Sequence, residues 1–477
     1  ESDRALVRAG GEVMSKAAVR PGPGAPRDWR FPRAVEHVTR AGMRVILLPM
    51  PSRPIASIQM LFGGGAAGER PEESGLSALL ARLLTEGTEH HDADGLIEAG
   101  ELLGASIGAE SGWESLTVGA GAPVSRLAGV FDLMAEIALT PRIPEADVER
   151  LKALRLAAIK QAHASPRSRA VDALSAALYA PEAAYSRPFA GTADGVARLT
   201  RDQVVARHQE ILRTGTPTLV LAGDIDSDAA FALIEASRLS EISAGGGTWG
   251  RGEPDRAAPV SATPGAAPLV KVLDRPGSVQ SEIRIGRIGR SRLDANHHAA
   301  LVYAEIIGGL FGSRLNRVLR EEKGYTYGAG ARFDLRRGRG PFMAGTAVET
   351  GVTAPALAEA RRQLATMQSA PPTDEELTEA RDYLCGTFPL RFGTATPVAS
   401  MAAALTVLGL SPNEPDHFRE RVAAVEIHVE AGVAQCTSLL LFAGLAPDEL
   451  FNVWVIHVQD DHLRCTACLA AGLDGAC

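Results

Sequence analysis

The sequence predicts an α+β fold made of two copies of one domain, each a mostly antiparallel sheet packed with helices, and three observations carry that prediction. The chain has 477 residues, more than a single hydrophobic core ordinarily serves. Strand-type and helix-type runs follow one order in both halves at an offset of about 230 residues, too long for a solenoid and right for a duplicated domain. Strands that follow one another across short turns imply antiparallel pairing, which favours α+β over a parallel α/β sheet.

Residues 1 to 30 are polar and rich in Pro and Gly (RPGPGAPRDW), an irregular arm. The first domain is expected over 31–241. It opens with GMRVILLPM and IASIQMLF, two β-type runs parted by the turn residues PSRP. From Ser74 the period becomes helical, with Leu76, Leu79, Leu80, Leu83 and Leu84 at three- and four-residue steps up to Gly87. A second helix runs from Asp94 to Leu103 and stops at Gly104, and ASIGAESGWESLTVGAGAP reads as a hairpin. Two helices split by PRIP follow from Leu127 to Ala162, with Glu145 and Asp147 near the start of the second, where acids suit the helix dipole. PTLVLAGDID closes the half as a strand.

Residues 242–265 have the composition of a linker, Gly/Pro/Ser/Ala-rich without hydrophobic period. The second domain, 266–477, then repeats the order. QSEIRIGRIG is a strand, Ala295 to Ile307 a helix ended by Gly308-Gly309, and Ser313 to Lys323 a helix ended by Gly324. YTYGAGARF and GPFMAGTAVE form a hairpin, Ala354 to Met367 a helix, and a late strand lies near LFNVWVIHV. The helix APPTDEELTEARDYL answers PRIPEADVERLKAL of the first half.

Composition excludes several classes. A net charge of −8 argues against a general nucleic-acid binder, which needs a basic surface. The short basic run Arg336, Arg337, Arg339 reads as a solvated hairpin tip. Aromatics are only 5%, so the core must come mainly from Ala, Leu, Val and Ile. Five cysteines in so long a chain make no disulfide scaffold, and the CxxC of Cys465 and Cys468 lacks the second pair a four-cysteine zinc site needs. No apolar run is long enough to span a membrane. The first residues show no signal architecture, so a cytoplasmic location is expected.

Most candidate motifs fail on mechanism. Gly63, Gly65 and Gly68 match GxGxxG, but ERPEES separates them from the next helix, so no helix N-terminus meets a pyrophosphate. No P-loop exists, because GK[ST] is absent. Glu89, His90 and His91 are neighbours in a turn, where ligands seldom converge, and His297, His298 and Glu305 on a helix lack a third convergent ligand.

The segment LFGGGAAGERPEESGLSALLARLLTEGT resembles the signature region of the insulinase/pitrilysin-like (M16, "inverzincin") peptidases: a Gly-containing strand end, an acidic-Pro loop, Gly-Leu, a helix, and a Gly-Thr stop. There the helix carries HxxEH, two zinc-binding histidines one turn apart with a Glu that polarises the attacking water. Aligned on Gly75-Leu76 and Gly87-Thr88, the histidine positions fall on Ala78 and Arg82 and the base position on Ala81. The third ligand, a Glu about 75 residues later in that family, falls in LRLAAIKQ at Ala157 or Ala158. The second half resembles the family too, in IGGLFGSRLNRVLREEKGYTYGAGARF, where Arg320 and Tyr327 match an Arg/Tyr pair. A guanidinium and a phenol are suitable donors for a substrate carbonyl and its developing oxyanion.

The resemblance covers residues 35 to 430. It implies two M16-type domains forming half of a clam-shell, a non-catalytic (M16B) subunit without zinc of its own, and a partner that carries HxxEH and the zinc. The substrate would be an unfolded peptide or leader peptide, added as a strand to a sheet edge, with no role for nucleic acid or membrane. A peptide-binding or structural scaffold of the same fold is the alternative.

Overall fold

The computed structural model describes residues 28–244, 249, 269–430, 433–435 and 453–458. The N-terminal arm and the linker expected from sequence fall largely outside these residues, and the CxxC of Cys465 and Cys468 lies outside them. Residues up to Arg30 form a unit separate from Phe31–Cys477, and both sheets and their helices belong to the second unit.

The first sheet holds β1 (Val35–Val38), β2 (Arg44–Pro49), β3 (Ile55–Gly63), β4 (Ser106–Ser111), β5 (Ser115–Pro123) and β6 (Thr218–Gly223), in the order β1-β2-β6-β3-β5-β4. β6 is buried at every position, because both its faces are covered, and it therefore reads as a continuous apolar run. β4 alternates exposed and half-buried residues, the pattern of an edge strand with one solvated face. Its long partner β5 pairs with β3 over nine residues, from Ile55↔Pro123 to Gly63↔Ser115.

The second sheet holds β7 (Leu269–Asp274), β8 (Gln280–Ile288), β9 (Ala329–Phe333), β10 (Pro341–Glu349) and β13 (Val453–Val458), in the order β7-β13-β8-β10-β9. A separate two-stranded ribbon pairs β11 (His428–Glu430) with β12 (Val433–Gln435). Strand for strand, the second sheet repeats β2-β6-β3-β5-β4. Its one parallel pair, β7 with β13, matches β2 with β6, and the other neighbours are antiparallel in both. Equivalent strands begin about 225 residues apart, as Ile55 and Gln280 do, so the repeat read from sequence is a repeat of topology.

Helices α1 (Leu76–Leu83), α2 (Ala93–Leu102), α3 (Leu127–Leu139) and α4 (Glu145–Ala164) follow in the first half. α5 (Pro166–Leu178), α6 (Ala193–Arg198), α7 (Arg201–Thr214) and α8 (Ser227–Ala236) complete it. The second half carries α9 (His297–Ala304), the single turn α10 (Arg314–Asn316), α11 (Thr353–Ser369), α12 (Asp374–Thr387), α13 (Ala395–Val407) and α14 (Phe418–Ala423). The core of the first half joins Met60, Leu80, Val118, Phe131, Met134 and Leu219, all essentially without exposure.

The halves exchange one helix each. α5 packs on β8 and β13 of the second sheet, and α13 packs on β3 and β6 of the first. Leu174, Leu178 and Tyr179 of the α5 segment cluster with Met343 of β10, and the Tyr179 hydroxyl donates to the Arg339 carbonyl at 2.8 Å.

The β9–β10 turn departs from the solvated tip expected of Arg336, Arg337 and Arg339. Arg339 is exposed, but the Arg336 side chain is only 10% exposed. Its guanidinium lies 4.3 Å from the Trp113 ring centroid and 4.6 Å from that of Tyr185, and Asp334 pairs with it at 2.6 Å. A planar cation between two aromatic faces is held by their quadrupoles as well as by its counter-ion. The basic run is a clasp between the halves.

Candidate functional site

Helix α1 is set by the loop before it. The Glu69 carboxylate, buried at 8% exposure, accepts the N–H groups of Gly75 at 2.8 Å and Ser77 at 2.6 Å, taking donors that a helix start leaves without partners. Burial pushes the Glu69 carboxyl above its ordinary range, and these two N–H bonds pull it back. Arg187 donates to the Glu69 carbonyl at 3.0 Å, tying the loop to the segment before α6. Gly75 has φ +99°, and a Cβ there would lie 2.9 Å from Val196 Cγ2, so neither the conformation nor the space admits a side chain.

On α1 the apolar face of Leu76, Leu79, Leu80 and Leu83 is buried. Ala78 is half-buried, Ala81 is 2% exposed and Arg82 is exposed. Positions 78 and 82 are one helical turn apart and share a face. Ala157 and Ala158 are exposed on α4, a helix that packs against α1. The elements a zinc site needs are adjacent, but alanine methyls have no lone pair and Arg82 would repel a cation. These residues do not fit zinc.

The turn after α1 is structural. Thr88 donates to Glu136, whose carboxylate also meets His91 Nδ1 at 3.0 Å. His90 remains exposed. In the second half His297 and His298 are both 5% exposed, and each Nε2 lies 3.9 Å from Glu414. The three side chains are close enough to surround an ion, yet Glu414 already pairs with Arg292 at 3.1 Å and Arg421 at 3.2 Å, and a metal would face both guanidiniums. Burial, with the nearby arginines, pulls His297 down to about 4 and His298 down to about 3, so both are neutral at pH 7. Glu305, grouped with them in sequence, lies instead in a π-type turn, Glu305–Gly309, that extends α9.

Arg320 lies in a second π-type segment, Arg317–Glu322, continuing α10. The expected α-helix over 313–323 thus holds one α turn and then widens, a form often found at functional sites. The Arg320 guanidinium sits 4.2 Å from the ring centroid of Phe311. Gly324, at φ +64°, ends the segment. Tyr327 is not on a strand: β9 begins at Ala329, and Tyr327 occupies the bend before it.

That bend is held on both sides of Tyr327. The Tyr325 N–H donates to the Leu319 carbonyl at 2.9 Å. The Thr326 hydroxyl accepts the Gly328 N–H at 3.1 Å and meets Thr346 at 2.9 Å. Asn316 accepts the Ala329 N–H at 2.8 Å and donates to the Leu310 carbonyl at 3.2 Å. Between these anchors the Tyr327 ring is 96% exposed. An ordered backbone thus presents a phenol and, seven residues before it, a guanidinium as donors. Sequence reading misses Glu69, Asn316 and Thr346. Their side chains act on backbone groups distant in the chain, and no local spacing announces that.

Two family models match. The one described as "Insulinase (Peptidase family M16)" covers residues 44–192, and the one described as "Peptidase M16 inactive domain" covers residues 198–384. An "uncharacterized zinc protease" of Mycobacterium leprae is 25% identical over 294 residues, 62% of this chain and 64% of that protein. One of Streptomyces coelicolor is 23% identical over 291 residues, 60% of this chain and 61% of its own length. The match thus spans less than two thirds of either relative. Among solved structures, a "peptidase M16 inactive domain" from Pseudomonas fluorescens superposes with a TM-score of 0.77 at 21% identity, covering 90% of this chain and 98% of that one. A protease from Helicobacter pylori reaches 0.73 at 13% identity, covering 90% of this chain and all of that one. At these identities the structures speak for the fold.

Proposed function

This chain belongs to the M16 peptidase family, and we propose that it is the non-catalytic subunit of a two-chain peptidase. The observation that carries the reading is a contrast within one molecule: the positions that match the family's zinc site and base hold Ala78, Ala81, Arg82 and Ala157 or Ala158, while Tyr327, seven residues after Arg320 in the chain, stands exposed on a hydrogen-bonded loop. The partner is an HxxEH-bearing subunit of the same family, and the zinc resides there. Arg320 and Tyr327 act in trans, donating hydrogen bonds to the substrate carbonyl and to the oxyanion that forms on it. The substrate is an unfolded peptide or a leader peptide. The solvated edge strand β4, packed beside α1, offers a place for an extended segment to add as a strand.

No helix among the described residues is long and apolar enough to cross a membrane, and a cytoplasmic pair is part of the same proposal. The test is steady-state cleavage of a model peptide by the reconstituted pair. Tyr327→Phe removes one donor and is expected to lower the rate by about 10²–10³, or roughly 3–4 kcal/mol of transition-state stabilisation. Arg320→Ala is expected to raise KM as well, because a guanidinium also grips the ground-state carbonyl. Neither change should alter assembly or the partner's zinc content. A Tyr327→Phe pair that cleaves at the wild-type rate would leave the chain a scaffold.

A further inference from the structure

The face of the second sheet that α5 only partly covers carries a basic cavity. Beyond the N-terminal end of α5 a hollow of about 370 Å³ opens against β8, β10 and β9, with Arg167, Arg284 and Arg332 among its walls. The register explains why these side chains meet. Arg284 pairs with Gly345 across β8 and β10, and Gly345 pairs with Gly330 across β10 and β9, so the three residues form one row on one face. Arg332 stands opposite Met343 one pleat further along that face. The glycines leave the floor low enough for the Arg284 guanidinium to lie over it. A Cβ on Gly345 would be 2.6 Å from Arg284 Nη1.

The charge of this hollow is out of balance. Arg284 is 7% exposed, and its guanidinium is shared between Glu282 and the Ile283 carbonyl. Glu282 is the only carboxylate in the lining, against three guanidiniums. Among the described residues neither Arg167 nor Arg332 has an ion-pair partner, and both repel the Arg284 charge. Like charges gathered around a concave, partly desolvated surface favour an anion. Forked guanidinium donors fit a carboxylate in particular. Gly328, the residue after Tyr327, lines the same hollow, and β9 is the outermost strand of its sheet among the described residues, its Ala329 N–H accepted by Asn316 and its Ala331 packed against Gly308.

We propose that this hollow is a recognition pocket for a carboxylate of an extended peptide, seated by Arg167, Arg284 and Arg332. The inference rests on the reading that this chain handles peptide substrates, and it narrows their class to peptides with an acidic group at a defined position. The acid can come from an Asp or Glu side chain or from a C-terminus.

Calorimetric titration of the full chain alone tests it without any partner. Three probes are one extended Ser/Thr/Gly-rich peptide, acetylated at its N-terminus: with a central Glu and an amidated end, with Gln in place of Glu, and with that Gln and a free C-terminal acid. The central-Glu peptide or the free-acid peptide is expected to bind about tenfold or more tighter than the neutral one, and whichever does so identifies the source. Arg332→Gln and Arg167→Gln, both on exposed side chains, are expected to remove that preference without disturbing the fold. Arg284→Gln is expected to do the same if it folds. Equal binding of all three probes, or a preference that survives Arg332→Gln and Arg167→Gln together, would overturn the pocket. Because this readout is binding by the lone chain and the Tyr327 readout is cleavage by the pair, failure of one is distinguishable from failure of the other.

Discussion

The two sheets share strand order and sense, yet the segments after their equivalent strands β3 and β8 have diverged in opposite directions. After β3 comes a short, regular helix whose start is fixed by Glu69 and whose positions 78, 81 and 82 hold two alanines and an arginine. After β8 comes a helix that opens with two buried histidines, widens into a π-type turn, and leads to a second widened segment bearing Arg320. On the proposed reading, the first half keeps the frame of a metal site without its ligands, and the second keeps donor side chains on an ordered loop. A fold and its chemistry are then separable: packing holds α1 in place whether or not it carries ligands.

The steepest change should come from the buried histidine pair of the second half. Protonation would put positive charge into a buried site, and beside Arg292 and Arg421, so the folded pKa values, about 4 and about 3, lie below the unfolded value of about 6.5. The unfolded chain therefore binds more protons than the folded one through this window. Stability is full above about pH 6.5 and falls as pH drops, by about 1.4 kcal/mol per pH unit for each histidine. The loss continues down to the folded values. Denaturant melts at pH 7, 6 and 5 would show this slope, and His298→Asn should flatten it by about one proton. An unchanged slope would mean that His298 takes up its proton equally in the folded and unfolded chain.

The clasp between the halves comes next. Trp113→Ala removes the ring beneath Arg336 and the edge contacts to Tyr185 and Phe189, at an expected cost of about 3 kcal/mol. Arg336→Ala should cost less, about 1 kcal/mol. If the clasp couples the halves, both variants should split a single thermal transition in calorimetry. A shift without splitting would mean that the halves stay coupled without the clasp.

A weaker effect is expected at the cap on α1. Glu69→Gln keeps one acceptor oxygen for two N–H groups and leaves one of them buried without a partner, costing about 1–2 kcal/mol. It would also leave metal content and activity of the lone chain where they were, since α1 holds no ligands. Thermal melts and elemental analysis check the two parts.

Much of this architecture is legible in the sequence. The repeat is visible because strands alternate with helices in one order, and the vacated motif because Gly75-Leu76 and Gly87-Thr88 frame it at fixed spacing. α5 and α13 leave no such trace. Both are alanine-rich, and each packs on the other half's sheet, so neither shows the leucine period that marks α1. Arg336 reads as solvated because a basic run gives no sign of the aromatic pair, more than 150 positions earlier for Tyr185, that closes over it. Tyr327 lies off the expected strand for a local reason: the Thr326 and Asn316 side chains accept the Gly328 and Ala329 N–H groups, which competes with ladder pairing.

Whether this chain carries a peptidase site of its own is tested most directly by elemental analysis and peptide cleavage on the purified chain, alone and after co-expression with an HxxEH-bearing subunit. The expected result is no stoichiometric zinc and no cleavage by the chain alone, and with the partner zinc-dependent cleavage that chelators abolish. One tightly bound zinc per chain, with chelator-sensitive cleavage by the chain alone, would contradict the vacated site at Ala78, Ala81 and Arg82.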